Sequence, residues 1–153
     1  MKISDFLAPT NVQIDVRAPD KAKLLHDLAR QAAASVGLAA NAIDTALSQR
    51  EALGSTGLGG GVAIPHARFA ELKQPFGMLM RLRKAIPFEA IDGQPVHIVF
   101  LLLLPAEKAG EQLNALATVA RKLRDREQLT LLEQAGDASA LYAVMTAESG
   151  ESR

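Results

Sequence analysis

The sequence predicts an α/β fold, a single-domain layered sandwich in which a mixed β-sheet is flanked by helices on both faces. Residues 12–16 alternate apolar and polar side chains, which is the period of a half-buried strand. Residues 96–104 are apolar on both faces, which is typical of a central strand covered by helices on each side. The order of strand, two helices, several strands and further helices requires both hairpins and crossovers, and therefore a mixed sheet.

The helices are predicted from apolar spacing and from residues that cap helix ends. The first runs from Lys21 to about Ser35 after a cap at Asp20, and Gly37 ends it. We expect Asn41 to cap a second helix that ends at Gly54. Later helical patterns cover residues 113–124, a short segment around 129–132, and a last helix capped by Asp137, with another strand at 78–83.

Composition narrows the class of protein. The 153 residues are 48% hydrophobic, which fits one globular domain, and we expect it at 1–147 with a disordered tail at 148–153. Seventeen basic and 17 acidic residues balance, so there is no electrostatic case for nucleic acid or a membrane surface as partner. No signal peptide or bilayer-length apolar run is present, and we therefore expect a cytoplasmic protein.

The segment 54–68, GSTGLGGGVAIPHAR, holds five of the 11 glycines and is the candidate functional site. Its glycine density excludes a helix and suits close approach of a ligand to the backbone. Residues 62–64 read as a short buried strand, and Pro65 keeps Ile64 extended, so that His66 stands at the strand's end.

Common chemistries of glycine-rich segments do not fit. A P-loop needs lysine after its last glycine, and no helix opens where a dinucleotide fingerprint requires one. Ser55 is not in a G-x-S-x-G elbow, which argues against a serine hydrolase. The three histidines lack metal-ligand spacing and there is no cysteine, so we predict neither a metal nor a cofactor.

What remains is His66 as a nucleophile, set against the alternative of a buried core histidine. An imidazole is partly neutral near pH 7 and can attack phosphorus through one ring nitrogen. Phosphoryl transfer then needs positioning and donors to the phosphoryl oxygens. The candidate donors are the amides of Gly60 and Gly61, the hydroxyls of Ser55 and Thr56, and the guanidinium of Arg50 or Arg68.

Arg50 allows two readings. It continues the inward face of the second helix, three residues after Leu47, and so points towards the core side beside the glycine-rich segment. An arginine there also complements the negative end of a helix without any functional role.

With Arg50-Glu51 and GSTGLGGGVAIPHAR in view, the chain resembles the IIA phosphocarrier domains of the fructose and mannitol class of the bacterial phosphotransferase system, and within it the nitrogen-regulatory IIA proteins. The resemblance extends to residues 87–107 and 113–125. It implies that His66 is phosphorylated by a histidine-phosphorylated carrier of the HPr type, that Arg50 lines the site, and that the fold is a mixed sheet between helices.

Two positions depart from the pattern of that class. Many members have a second histidine near the phosphohistidine, where this chain has Gln112. Glutamine can donate a hydrogen bond but cannot titrate, so we expect Gln112 to bind phosphate without an acid-base role. His97 stands where the class usually has aspartate.

The sequence therefore predicts a phosphocarrier whose phosphorylation at His66 changes its binding to regulatory protein targets. A sugar-specific IIA component that passes the phosphoryl group to a IIB domain is one alternative, and a binding module without phosphorylation is another. The prediction also allows a homodimer.

Overall fold

The computed structural model describes residues 1–107 and 109–148, with the side chains of residues 109 and 111–113 outside that description. In chain order the elements are β1 (Val12–Val16), α1 (Lys21–Val36), α2 (Ala40–Leu53), β2 (Gly57–Gly59), β3 (Val62–Ala63), β4 (His66–Phe69), β5 (Phe76–Ile86), β6 (Val96–Pro105), α3 (Ala109–Arg124), α4 (Arg126–Gln134) and α5 (Ala138–Thr146). Short 3-10 turns at residues 3–5 and 9–11 precede β1.

One mixed sheet forms the middle layer. Its strand order is β1-β5-β6-β3-β2, and β4 pairs with β6 beyond the end of β3. The β5–β6 and β2–β3 pairs are antiparallel, whereas β1 runs parallel to β5, and both β3 and β4 run parallel to β6. The predicted mixture of hairpins and crossovers is confirmed.

Each face of the sheet buries its own apolar cluster. The first cluster joins α1 and α2 to the sheet through residues such as Leu28, Leu47 and Val99. The second joins α3, α4 and α5 to the opposite face, with Phe100 and Val119 among its members. Because β6 contributes to both clusters, its continuous apolar run is explained by helices on both faces, as predicted.

Most helix ends follow the predicted signals, with one correction. The Asp20 carboxylate accepts a hydrogen bond from the Lys23 amide at 2.8 Å, and Gly37 ends α1 with φ of 73°. The prediction of Asn41 as a cap was wrong, because α2 begins at Ala40 and its N-cap is Ala39, which makes no side-chain hydrogen bond. Burial of Ile43 and Leu47, and not a side-chain cap, stabilises this helix.

The C-terminal end is described as far as Glu148. Glu148 is the first residue of the predicted tail, and its carboxylate lies 2.9 Å from Nζ of Lys2. The remaining tail positions, 149–153, lie outside the described residues. Across 1–107 and 109–148, no helix combines the length and apolar character needed to cross a bilayer.

Candidate functional site

His66 is the first residue of β4 and lies on the edge of the central strand β6. Along that edge Val62 pairs with Ile98 and His66 with Leu102, so β3 and β4 follow β6 in one direction with Ile64 and Pro65 between them. The Pro65 carbonyl accepts a hydrogen bond from the Leu102 amide at 2.9 Å. His66 was predicted to stand at the end of the strand that begins at Val62. It is instead the first residue of a further strand, β4, and its pairing with Leu102 fixes its position along β6.

The imidazole of His66 is half-buried and has a fixed tautomer. Nδ1 lies 2.8 Å from the Ile64 carbonyl oxygen. Because a carbonyl oxygen can only accept, Nδ1 carries the proton and donates a hydrogen bond to the Ile64 carbonyl. In the neutral ring Nε2 consequently holds the free lone pair, which is the one available to attack an electrophile.

The pKa of His66 is lowered from its ordinary value of 6.5. Desolvation by burial is the largest cause, and the positive charges of Arg50 and Arg68 add to it. The hydrogen bond to the Ile64 carbonyl and the negative charge of Glu51 act in the opposite direction. The net effect favours the neutral, nucleophilic imidazole at neutral pH.

Arg50 lies in the last turn of α2, as one of the two sequence interpretations requires, and its role in binding phosphate stays a prediction. Its guanidinium donates a hydrogen bond to the Gly54 carbonyl at 2.8 Å, just past the end of α2. The same charge acts on His66. Among the residues that the structure describes, this is the one hydrogen bond of a guanidinium that carries five donors. Arg68, exposed in β4, also acts electrostatically on His66, so the structure brings both predicted cations to the histidine.

The hydroxyl groups of Ser55 and Thr56 are already used by the fold. The Ser55 hydroxyl donates to the Phe88 carbonyl at 2.7 Å and accepts from the Gly57 amide at 3.0 Å. Thr56 is 5% exposed, and its hydroxyl donates to the Glu51 carboxylate. In this structure the protons of both hydroxyls are directed to protein acceptors, and phosphate binding by these hydroxyls stays a prediction.

The glycine turn is also separate from His66. Gly60 and Gly61 precede β3 at the end that pairs with Ile98, four positions along β6 from the partner of His66, which is roughly 13 Å. The Gly60 amide donates to the Asp92 carboxylate at 2.9 Å, and this bond lowers the pKa of Asp92. The glycine turn and His66 thus lie at separate points along β6, and phosphate binding by the Gly60 and Gly61 amides stays a prediction.

Other predicted positions fall elsewhere. Gln112 is part of α3, and its side chain lies outside the described residues. His97, at the start of β6, bonds Glu133 of α4 through Nε2 at 2.7 Å, at the same end of the sheet as Gly61. No group of three or more potential metal ligands occurs among the described residues.

Sequence reasoning assigned no role to Glu51, although it follows Arg50 directly. Its side chain is 5% exposed and lies 2.8 Å from Nζ of Lys21. It also accepts hydrogen bonds from the Thr56 amide at 3.1 and 3.2 Å. A glutamate in the last turn of a helix is unfavourable, because the C-terminal end of the helix carries partial negative charge. This position was a signal in the sequence that Glu51 has a partner elsewhere in the fold.

Residues 5–148 match the family described as "Phosphoenolpyruvate-dependent sugar phosphotransferase system, EIIA 2", and the chain belongs to this family. Over 145 residues it is 42% identical to a nitrogen regulatory protein of Bradyrhizobium diazoefficiens, with 95% of each chain covered. Identity to the nitrogen regulatory protein of Escherichia coli K12 is 32% over 151 residues, 98% of this chain and 93% of that one.

Among solved structures, the crystal structure of nitrogen regulatory protein IIA-Ntr from Neisseria meningitidis matches with a TM-score of 0.90 and 34% identity, covering 94% of this chain and 99% of that one. The predicted family resemblance and the predicted fold class are both confirmed. The relatives named here also favour the nitrogen-regulatory over the sugar-specific prediction.

Proposed function

We propose that the protein is a phosphocarrier in which Nε2 of His66 accepts a phosphoryl group from the phosphohistidine of an HPr-type carrier protein. The observation that carries this proposal is the 2.8 Å contact between Nδ1 and the Ile64 carbonyl, because it assigns the free lone pair to Nε2. Membership of the EIIA 2 family supports the reaction class.

In the proposed step the Nε2 lone pair attacks phosphorus. A P–N bond forms at His66 while the P–N bond of the donor breaks, and the donor imidazole leaves with the electron pair. The proton stays on Nδ1, hydrogen-bonded to the Ile64 carbonyl, throughout the step, so no general base is required. The guanidinium groups of Arg50 and Arg68, both close enough to act on His66, neutralise charge on the phosphoryl oxygens.

The phosphorylated protein then carries added negative charge beside Arg50, and we propose that this change alters its binding to regulatory protein targets in the cytoplasm. The names of its relatives support regulation of nitrogen metabolism as the output.

Transfer to purified IIB domains tests the sugar-specific alternative, which predicts rapid loss of the phosphoryl group from His66 to IIB. Light scattering at several concentrations tests the homodimer.

The chain offers its own controls for the phosphorylation test. Wild type, His66→Ala, His26→Ala and His97→Ala are incubated with phosphoenolpyruvate, the first enzyme of the system and a carrier protein, and intact mass is measured. We expect one acid-labile phosphoryl group in all but His66→Ala. Coupling between ³¹P and ring ¹⁵N should then identify Nε2 as the bonded atom.

No mass gain in wild type, with a known IIA protein labelled in parallel, would overturn the phosphocarrier proposal in favour of a binding module. Coupling to Nδ1 would contradict the assignment of the ring nitrogen while leaving phosphorylation intact.

A further inference from the structure

The Glu51 carboxylate lies at the centre of a network that ties three segments together. Lys21, at the start of α1, contacts it at 2.8 Å and is itself only 16% exposed. Lys21 also donates to the Phe88 carbonyl at 3.3 Å and lies 4.7 Å from the centre of the Phe88 ring. The amide and the hydroxyl of Thr56 both donate to the same carboxylate.

This network continues by backbone hydrogen bonds to the imidazole. The Thr56 carbonyl accepts from the Ile64 amide at 3.1 Å, and the Ile64 carbonyl accepts from Nδ1 of His66 at 2.8 Å. The path from Glu51 to His66 thus crosses only two residues, Thr56 and Ile64. Each of them is held on both sides, by its N–H and by its C=O.

From this connected path we infer that Glu51 is a positioning residue for phosphoryl transfer, because it holds Thr56 and thereby sets the tautomer and direction of His66. The inference rests on the proposed function for its effect on transfer. Its effect on the tautomer does not depend on that function, since the hydrogen bonds are present in the unphosphorylated protein.

The role of Glu51 goes beyond an ion pair with Lys21. Lys21 has other partners at Phe88 and Glu89, whereas the described contacts give the Thr56 amide no other acceptor than Glu51. Losing the carboxylate would leave a buried amide and hydroxyl unsatisfied. The segment before β2 would then shift to find new acceptors, and Ile64 would shift with it.

The test compares Glu51→Ala and Glu51→Gln with Glu133→Ala. Glutamine retains an acceptor oxygen for the Thr56 amide, so it should restore part of what alanine loses. Glu133 is a control, because it is also a glutamate with a side-chain partner, His97, but at the end of β6 away from His66. Two quantities are measured: the transfer rate from phosphorylated carrier at saturating concentration, and the ¹⁵N shifts of the His66 ring.

We expect Glu51→Ala to lower the saturating transfer rate by about tenfold to a hundredfold, with little change in the carrier concentration that gives half-maximal rate. The ring nitrogens of His66 should show mixed tautomers. Glu51→Gln should lie between Glu51→Ala and wild type, and Glu133→Ala should match wild type in both quantities. Reduced stability without an altered tautomer or rate would contradict the positioning role.

Glu51→Asp decides the question if Glu51→Ala does not fold. Aspartate keeps the negative charge near Lys21 but is shorter by one methylene, so it should lower the transfer rate while circular dichroism remains that of a folded protein. A wild-type rate in Glu51→Asp and Glu51→Gln would overturn the inference. If wild type itself accepts no phosphoryl group, the proposed function fails, and the ¹⁵N shifts alone still decide whether Glu51 sets the tautomer.

Discussion

The ring of His97 lies directly against the α-carbon of Gly61. A Cβ atom at Gly61 would be 2.5 Å from both Cε1 and Nδ1 of that ring, and the backbone there has φ of 86°. At Gly60, where φ is 68°, a Cβ would have only Leu129 nearby, at 3.9 Å. The glycine turn is therefore explained by backbone conformation and by packing, without a ligand.

Gly61→Ala should lower the free energy of unfolding by about 3 kcal/mol, from a left-handed conformation and from overlap with His97. Gly60→Ala has only the cost of the left-handed backbone conformation, and its free energy of unfolding should fall by about 1 kcal/mol. Urea unfolding measures both. Both variants should be phosphorylated fully when folded. If a folded Gly60→Ala protein accepted no phosphoryl group, the glycine turn would have to be part of the phosphate-binding site.

Arg50→Met should raise the pKa of His66, because the guanidinium charge is one of the causes that lower it. Arg68→Met should raise it by less, and Glu51→Gln should lower it further, since the Glu51 charge opposes the others. Titration of the imidazole Cε1 proton by NMR measures the direction in each variant. Equal pKa values in wild type and Arg50→Met would show that this cation does not act on the histidine.

The stability of the protein should fall as the pH decreases below 6.5. The pKa of folded His66 is lowered, so the unfolded chain binds a proton in a range where the folded protein does not, and protons then favour unfolding. Above pH 6.5 both states are neutral at this residue and the effect vanishes. Urea unfolding of wild type and His66→Gln at several pH values isolates it: their difference should change below pH 6.5, and a constant difference would contradict the shift.

Lys21 and Glu51 should show strong coupling in a double-mutant cycle. Lys21→Met leaves the Glu51 carboxylate, 5% exposed, without its cation, and we expect a loss of about 3 kcal/mol in the free energy of unfolding. Glu51→Gln on that background removes the uncompensated charge, so the double variant should lose less than the sum of the single variants. Additive losses would mean that the pair does not interact energetically.

Much of the fold was predictable because burial follows local periodicity. The alternation at residues 12–16 and the apolar run of β6 gave the correct strands, and Asp20, Gly37 and Asp137 mark the helix ends as predicted. Asn41 was predicted as a cap from its residue type and from Asp44 three residues later, whereas α2 begins at Ala40.

For the candidate site, the sequence by itself determined the candidate residues His66, Arg50 and Arg68, since the glycine-rich segment and the inward face of the second helix single them out. Only the tertiary structure decided which donors remain free for a ligand. The Gly60 amide is taken by Asp92, 32 residues later, and Thr56 is taken by Glu51. Such choices depend on which segments the sheet register brings together, and no local pattern in the sequence encodes that register.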